Sequence, residues 1–169
     1  MFNVTAILSA LERANARYIV VGGFAVILHG HLRATADLDL VIDLSSDNCQ
    51  RALQALSAVG LRPRLPVAMQ QFADPVVRRD WVLHRNMLVF QLWDPANELR
   101  SVDVFVQEPM DFETMWAESV NKSIHGDNIR IASISHLIEM KRKAGRARDL
   151  DDIAALEEIA RHTEPGQPA

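Results

Sequence analysis

Two aspartates separated by one residue carry the strongest chemical signal in this chain, in the run Asp37-Leu38-Asp39-Leu40-Val41-Ile42-Asp43. The Leu, Val and Ile content predicts a strand. Side chains alternate along a strand, so Asp37 and Asp39 share one side, about 7 Å apart. Leu38, Leu40 and Ile42 then face a core. Two carboxylates side by side on a buried strand repel each other and lose solvation. A cation offsets both costs. Oxygen ligands on a rigid strand suit Mg²⁺, which is bound by one or two carboxylates plus substrate phosphates.

Upstream, Gly22-Gly23 follows the apolar run Tyr18 to Val21 and precedes the nearly all-apolar segment Phe24 to Leu28, stopped by Gly30. This reads as strand, turn and helix. Glycine at such a turn lets a phosphate approach the backbone, and a helix N-terminus favours anions. Singly, the glycine pair is also consistent with a tight turn, and the acid pair with a solvated strand edge. Together, a phosphate cradle and a metal-binding acid pair in one strand–helix–strand unit suggest nucleotidyl transfer. Asp43, at the strand end, reads as a solvated turn residue.

Gly22-Gly23, thirteen intervening residues and Asp37-Leu38-Asp39 resemble the signature of the DNA polymerase beta-type nucleotidyltransferase superfamily. The run Arg33-x-Thr35-x-Asp37-x-Asp39 is similar to its small bacterial branch of AbiEii-type toxins and minimal nucleotidyltransferases. Gly23 stands where many members carry a phosphate-contacting serine, which leaves that contact to the backbone. Arg33 and Thr35 are expected to support the site. The resemblance also implies a third metal carboxylate on a neighbouring strand. Asp103 matches that place: it sits mid-strand in Ser101-Val-Asp-Val-Phe-Val106, the return of a hairpin begun by Met87 to Trp93. A lone Asp in an apolar strand needs a partner; an edge-strand charge is the plainer alternative.

A second constellation lies in His136 to Ile153. Helix phase puts Lys141 on the stripe of Leu137, Ile138 and Ala144, with Arg142 and Lys143 outside it. A lysine there needs a nucleotide phosphate, an aspartate of this domain, or a stem that snorkels to water. The segment resembles a later motif of the same branch, with Lys141, Asp149 and Asp152 at its positions. The resemblance implies that the lysine helps hold the triphosphate and the acids support the site. By position, Asp149 reads as the N-cap of the last helix and Asp152 suits its first turn.

The elements around these residues are those of one α/β (α+β) domain, residues 1–162, with a mixed sheet and helices mainly on one face; residues 163–169 read as a flexible tail. Asn3 or Thr5 caps a first helix, and Ser45 or Ser46 a second that stops at Gly60. The stretch Leu61 to Arg85, with Arg62, Arg64, Arg78, Arg79 and Arg85, reads as short strands and loops. Asp111 caps a short helix, Val120 to Ile131 forms a hairpin around His125 to Asn128, and Ser133 or Ser135 begins a helix through Ala144. His29 and His31 read as turn residues rather than ligands.

At 169 residues the chain is long enough to bury a core. Its net charge of −4 exerts no overall pull toward nucleic acid. The single cysteine, Cys49, excludes an internal disulfide and fits a reducing, cytoplasmic setting. No membrane span or secretion signal is legible.

The expected activity is transfer of a nucleoside monophosphate from an NTP to an acceptor, with release of pyrophosphate. Asp37, Asp39 and Asp103 would hold two Mg²⁺ ions, with Asp103 also helping to deprotonate the acceptor. Gly22 and Gly23 would shape the phosphate pocket, and Lys141 would neutralise the triphosphate. The acceptor is open among RNA, protein and small molecules, and the resemblance implies a toxin with an antitoxin partner. A non-catalytic nucleotide-binding or antitoxin module of the same fold is the competing class.

Overall fold

The computed structural model describes residues 4–124 and 126–163, with 98–100 and 163 by backbone alone. In chain order the elements are α1 (Val4–Arg13), β1 (Tyr18–Val21), α2 (Gly22–His29), β2 (Asp37–Ile42), α3 (Ser46–Ala58) and β3 (Arg62–Pro63). After a 3₁₀ turn, Met69–Ala73, come α4 (Pro75–Arg85), β4 (Val89–Asp94), β5 (Asn97–Phe105) and α5 (Phe112–Glu118). The chain ends with β6 (Val120–Ile124), β7 (Asp127–Ile131), α6 (Ile134–Ala144) and α7 (Ala147–Thr163).

The strands form one seven-stranded mixed sheet in the order β3-β4-β5-β2-β1-β7-β6. β2 runs antiparallel to β1 and parallel to β5, and β4 and β5 form the antiparallel hairpin. Period-two alternation sorts the side chains. Leu38 and Leu40 of β2 sit in register with Val102 and Val104 of β5, which pair with Leu92 and Phe90 of β4. All six are buried. The core also takes Ile7, Leu8 and Leu11 from α1 and Ala52, Leu53 and Leu56 from α3. The α/β class with a mixed sheet is therefore as the sequence implied. Among the described residues, no helix is long and apolar enough to cross a membrane.

The middle of the chain departs from expectation. Residues 75–85 form a helix, capped by Asp74, whose carboxylate accepts from the Val76 amide at 2.8 Å, with Pro75 in the first turn. The inner face of this helix includes Arg78 and Trp81, both buried. Arg78 donates to the carbonyls of Phe72 at 2.5 Å and Leu44 at 3.0 Å. An arginine on the buried face breaks the apolar stripe from which an amphipathic helix is read.

Smaller differences have equally local causes. Thr5 lies inside α1, so it is not the cap; Asn3, the His125 turn and tail residues 164–169 lie outside the described residues. Asp43 is not simply solvated: it accepts from the Arg17 guanidinium at 3.0 Å and from the Ser45 amide at 2.9 Å. α7 starts at Ala147, so Asp149 falls in its first turn rather than at its cap.

Candidate active site

The parallel pairing of β2 with β5 sets Asp37 opposite Ser101 and Asp39 opposite Asp103. Gln91 of β4 continues the second row beyond Asp103. Residues paired in register share a face, so the three aspartates stand together on the side of the sheet opposite Leu38 and Leu40. Ser101 Oγ donates to Asp37 Oδ1, and the Gln91 side chain hydrogen-bonds Asp103. Asp103 Oδ1 is buried without a hydrogen-bond partner.

At the other end of the row, β1 passes directly into α2. Gly22 adopts the left-handed conformation, φ +64°, and a Cβ built there would lie 1.9 Å from Asp39 Oδ2. A Cβ on Gly23 would lie 2.7 Å from Thr35 Oγ1 and 3.2 Å from Arg33 Cζ. Both glycines are thus required by close approach, Gly22 by the carboxylate and Gly23 by the loop before β2. Gly22→Ala is expected to cost roughly 1–2 kcal/mol from backbone conformation alone. Displacement of Asp39 adds to that, so the total loss of stability should exceed the backbone cost, which thermal melts check.

The electrostatics of the row follow from crowding. Burial, then the charges of Asp103 and Asp37, push the Asp39 pKa up to about 7, against the pull of Lys141 and Arg146. Burial is also the main cause that raises Asp103; the Gln91 hydrogen bond, Arg64 and Arg146 oppose it, and Asp37 adds to it. Among the described residues, no cation pairs with these carboxylates at short range. Among the described residues, no group of three or more His, Cys, Asp or Glu forms a ready-made metal site. The donor set still fits Mg²⁺. Hard carboxylate oxygens on adjacent strands, one of them orphaned, leave the remaining positions to substrate oxygens, which is how this ion is commonly bound.

A second cluster lies where α6 meets α7. The Lys141 ammonium donates to Asp152 Oδ2 at 2.6 Å and to Asp149 Oδ1 at 3.3 Å. All three residues are buried, at 7%, 3% and 5% exposure. Arg33 Nη1 also donates to Asp152, and His31 Nε2 stands 4.0 Å from it. Of the three partners open to Lys141 on sequence, the structure realises the aspartates of its own domain. Asp152 thereby joins α7 to the loop that carries Arg33 and Thr35.

The structure brings together Asp37, Asp39, Asp103 and Gly22 in one group, and Gly23, Arg33, Thr35, Lys141, Asp149 and Asp152 in an adjoining one. It adds Ser101, Gln91, Arg64 and Arg146, which sequence reasoning missed. Ser101 was legible by parity, two residues before Asp103, and Gln91 as the polar residue of an apolar strand. Arg146 is exposed and gave no signal, and Arg64, also exposed, stood out only as one of the arginines of the stretch 61–85. His29, at the end of α2, lies 2.8 Å from the Ala132 carbonyl, in keeping with a structural role.

Comparison with solved structures finds the same architecture. The lincosamide antibiotic adenylyltransferase LnuA, bound to lincomycin, aligns with a TM-score of 0.61 at 17% identity, over 92% of this chain and 95% of that one. ANT(2'')-Ia in complex with adenylyl-2''-tobramycin aligns at 0.59 and 13% identity, over 93% and 90%. An antigenic nucleotidyltransferase-like protein from Paracoccidioides brasiliensis aligns at 0.56 and 20% identity, over 97% and 77%. At these identities the likeness is one of fold. No curated protein matches the sequence. The family model described as "Nucleotidyltransferase of unknown function (DUF6036)" matches residues 1–162. The chain belongs to that nucleotidyltransferase family.

Proposed function

We propose that this protein is a Mg²⁺-dependent enzyme that moves a nucleoside monophosphate from an NTP to an acceptor, with Asp37, Asp39 and Asp103 at its centre. The observation that carries this reading is the register of Asp39 with Asp103, with Gly22 against Asp39. Asp37, Asp39 and Asp103 would hold Mg²⁺, which supplies charge neutralisation at the phosphates and lowers the pKa of the attacking oxygen.

The chain's own groups do the rest. Gly22 and Gly23, without side chains, let Asp39 and the loop carrying Arg33 and Thr35 close against the turn where the phosphates would bind. Asp103 takes the acceptor proton, and burial, by raising its proton affinity, suits it to that role. Gln91 fixes the orientation of Asp103, and Ser101 that of Asp37. Lys141 lowers the Asp39 pKa, which favours the ionised carboxylate. Its ammonium is held by Asp149 and Asp152, so its charge reaches a bound triphosphate through space, and the two acids brace that side of the pocket.

Of the solved structures that share this fold, the adenylyltransferase LnuA is bound to lincomycin and ANT(2'')-Ia is in complex with adenylyl-2''-tobramycin, which supports a small molecule among the acceptors. A toxin role with an antitoxin partner rests on the resemblance of the Arg33–Asp39 run and of Lys141, Asp149 and Asp152 to the AbiEii-type branch. Calorimetry with ATP tests the nucleotide half of the reading. Binding is expected with Mg²⁺ and is expected to weaken at least about tenfold without it. Equal binding with and without the ion would favour the non-catalytic module.

A further inference from the structure

Resting on that reading, we infer that Arg33 is the residue that grips the polyphosphate of the NTP at the glycine turn, and that Asp152 is its positioning residue. Gly23 lacks a side chain, and the space beside it is taken by two side chains from the loop before β2. The Thr35 hydroxyl and the Arg33 guanidinium carbon lie 2.7 Å and 3.2 Å from where a Cβ would be. A serine at this position would collide with Thr35, so the chain supplies polar contacts here from Arg33 and Thr35 instead.

The orientation of Arg33 is fixed from behind. Its Nη1 donates to the buried Asp152, and its Nε donates to the Ala34 carbonyl at 3.1 Å. Nη2 has no hydrogen-bond partner among the described residues. The guanidinium is thus anchored at two of its three nitrogens, and Nη2 is left to donate to a phosphate oxygen. Lys141 is the other cation of this cluster, and two carboxylates at 2.6 Å and 3.3 Å occupy it. Four groups, Arg33, Lys141, Asp149 and Asp152, balance in charge, so the cluster persists without ligand while still presenting a cationic edge at Gly23.

The roles separate experimentally. Arg33→Met leaves Asp152 paired with Lys141, so the fold is expected to hold, which a thermal melt checks. Calorimetry with Mg²⁺-ATP and with inorganic tripolyphosphate should show both affinities falling ~10- to 150-fold, the value of one charge-assisted phosphate contact. Arg33→Lys, which keeps the charge but not the fork, should recover part of the loss. Asp152→Asn frees Arg33 without removing it and should weaken both ligands by a smaller factor, about three- to tenfold, with KM for ATP rising more than kcat falls.

A structural role for Arg33 predicts a lower melting temperature and unchanged tripolyphosphate affinity; that result overturns the inference. If the wild type binds ATP but Arg33→Met binds both ligands as well as it does, the nucleotidyltransferase reading survives and the role of Arg33 does not. If the wild type binds neither ligand, the parent reading fails and the inference falls with it.

Discussion

Lys141→Met is expected to lower stability by about 3–5 kcal/mol, because it leaves two buried carboxylates facing each other without their shared ammonium. Removing one partner of a buried ionic cluster costs more than the cluster contributes, since the remaining charges have neither water nor a counter-ion. Arg33 still neutralises part of Asp152, so the lower end of the range is expected. For a chain of this size that is roughly a 6–12 °C fall in melting temperature. Lys143→Met removes a charge that pairs with Glu139 at 2.8 Å on the surface, where both side chains are more than half exposed. It should change stability little, as exposed i,i+4 pairs do. Equal melting temperatures for the two variants would contradict the buried cluster.

Asp39→Asn is expected to do two opposite things. Transfer should fall at least on the order of 10²- to 10³-fold, the size of effect seen when one preorganised electrostatic stabiliser is lost. Stability of the metal-free protein at neutral pH should rise. The sign follows from linkage. Asp39 has its pKa raised in the folded state from 3.8 to about 7, mainly by burial. The native state therefore holds a proton that the unfolded state has lost between those values. Stability is greatest below the unfolded value and declines as pH rises toward 7, by at most roughly 4 kcal/mol from this group. Asparagine does not titrate, so the variant should lose less stability between pH 5 and pH 8 than the wild type. Added Mg²⁺ should narrow the gap at pH 8 by stabilising only the wild type. Denaturation curves across pH, with and without Mg²⁺, check each part; parallel pH profiles would show that Asp39 is not crowded.

How far the sequence reaches can be seen residue by residue. Asp37 and Asp39 were legible because strand parity is strict: Leu38 and Leu40 are buried on the opposite side. Asp103 was legible as a charge in an apolar strand. The resemblance implied that its strand neighbours β2, but the register that sets it opposite Asp39 was not legible, since it depends on long-range packing rather than on local pattern. Lys141 was placed inward by helix phase, and phase was right about burial. Phase says nothing of what a buried lysine meets, and Asp149 and Asp152 come from the next helix across the Gly145 break. The cap expected at Asp149 gave way because α7 begins two residues earlier and tertiary pairing claims its carboxylate. α4 stayed hidden because buried Arg78 occupies the stripe where a sequence reading looks for an apolar residue.

Label transfer tests whether the aspartate row is a nucleotidyl-transfer centre. NTP carrying a label on the α-phosphate would be incubated with Mg²⁺, the protein, and separate fractions of cellular RNA, protein and small metabolites. The wild type is expected to move label into at least one fraction with matching release of pyrophosphate. Asp39→Asn and Asp103→Asn, folded by the same melt criteria, are expected to do neither above background. Label transfer by both variants at the wild-type rate would contradict that role for the row, as would a wild type that binds Mg²⁺-ATP yet releases no pyrophosphate with any fraction.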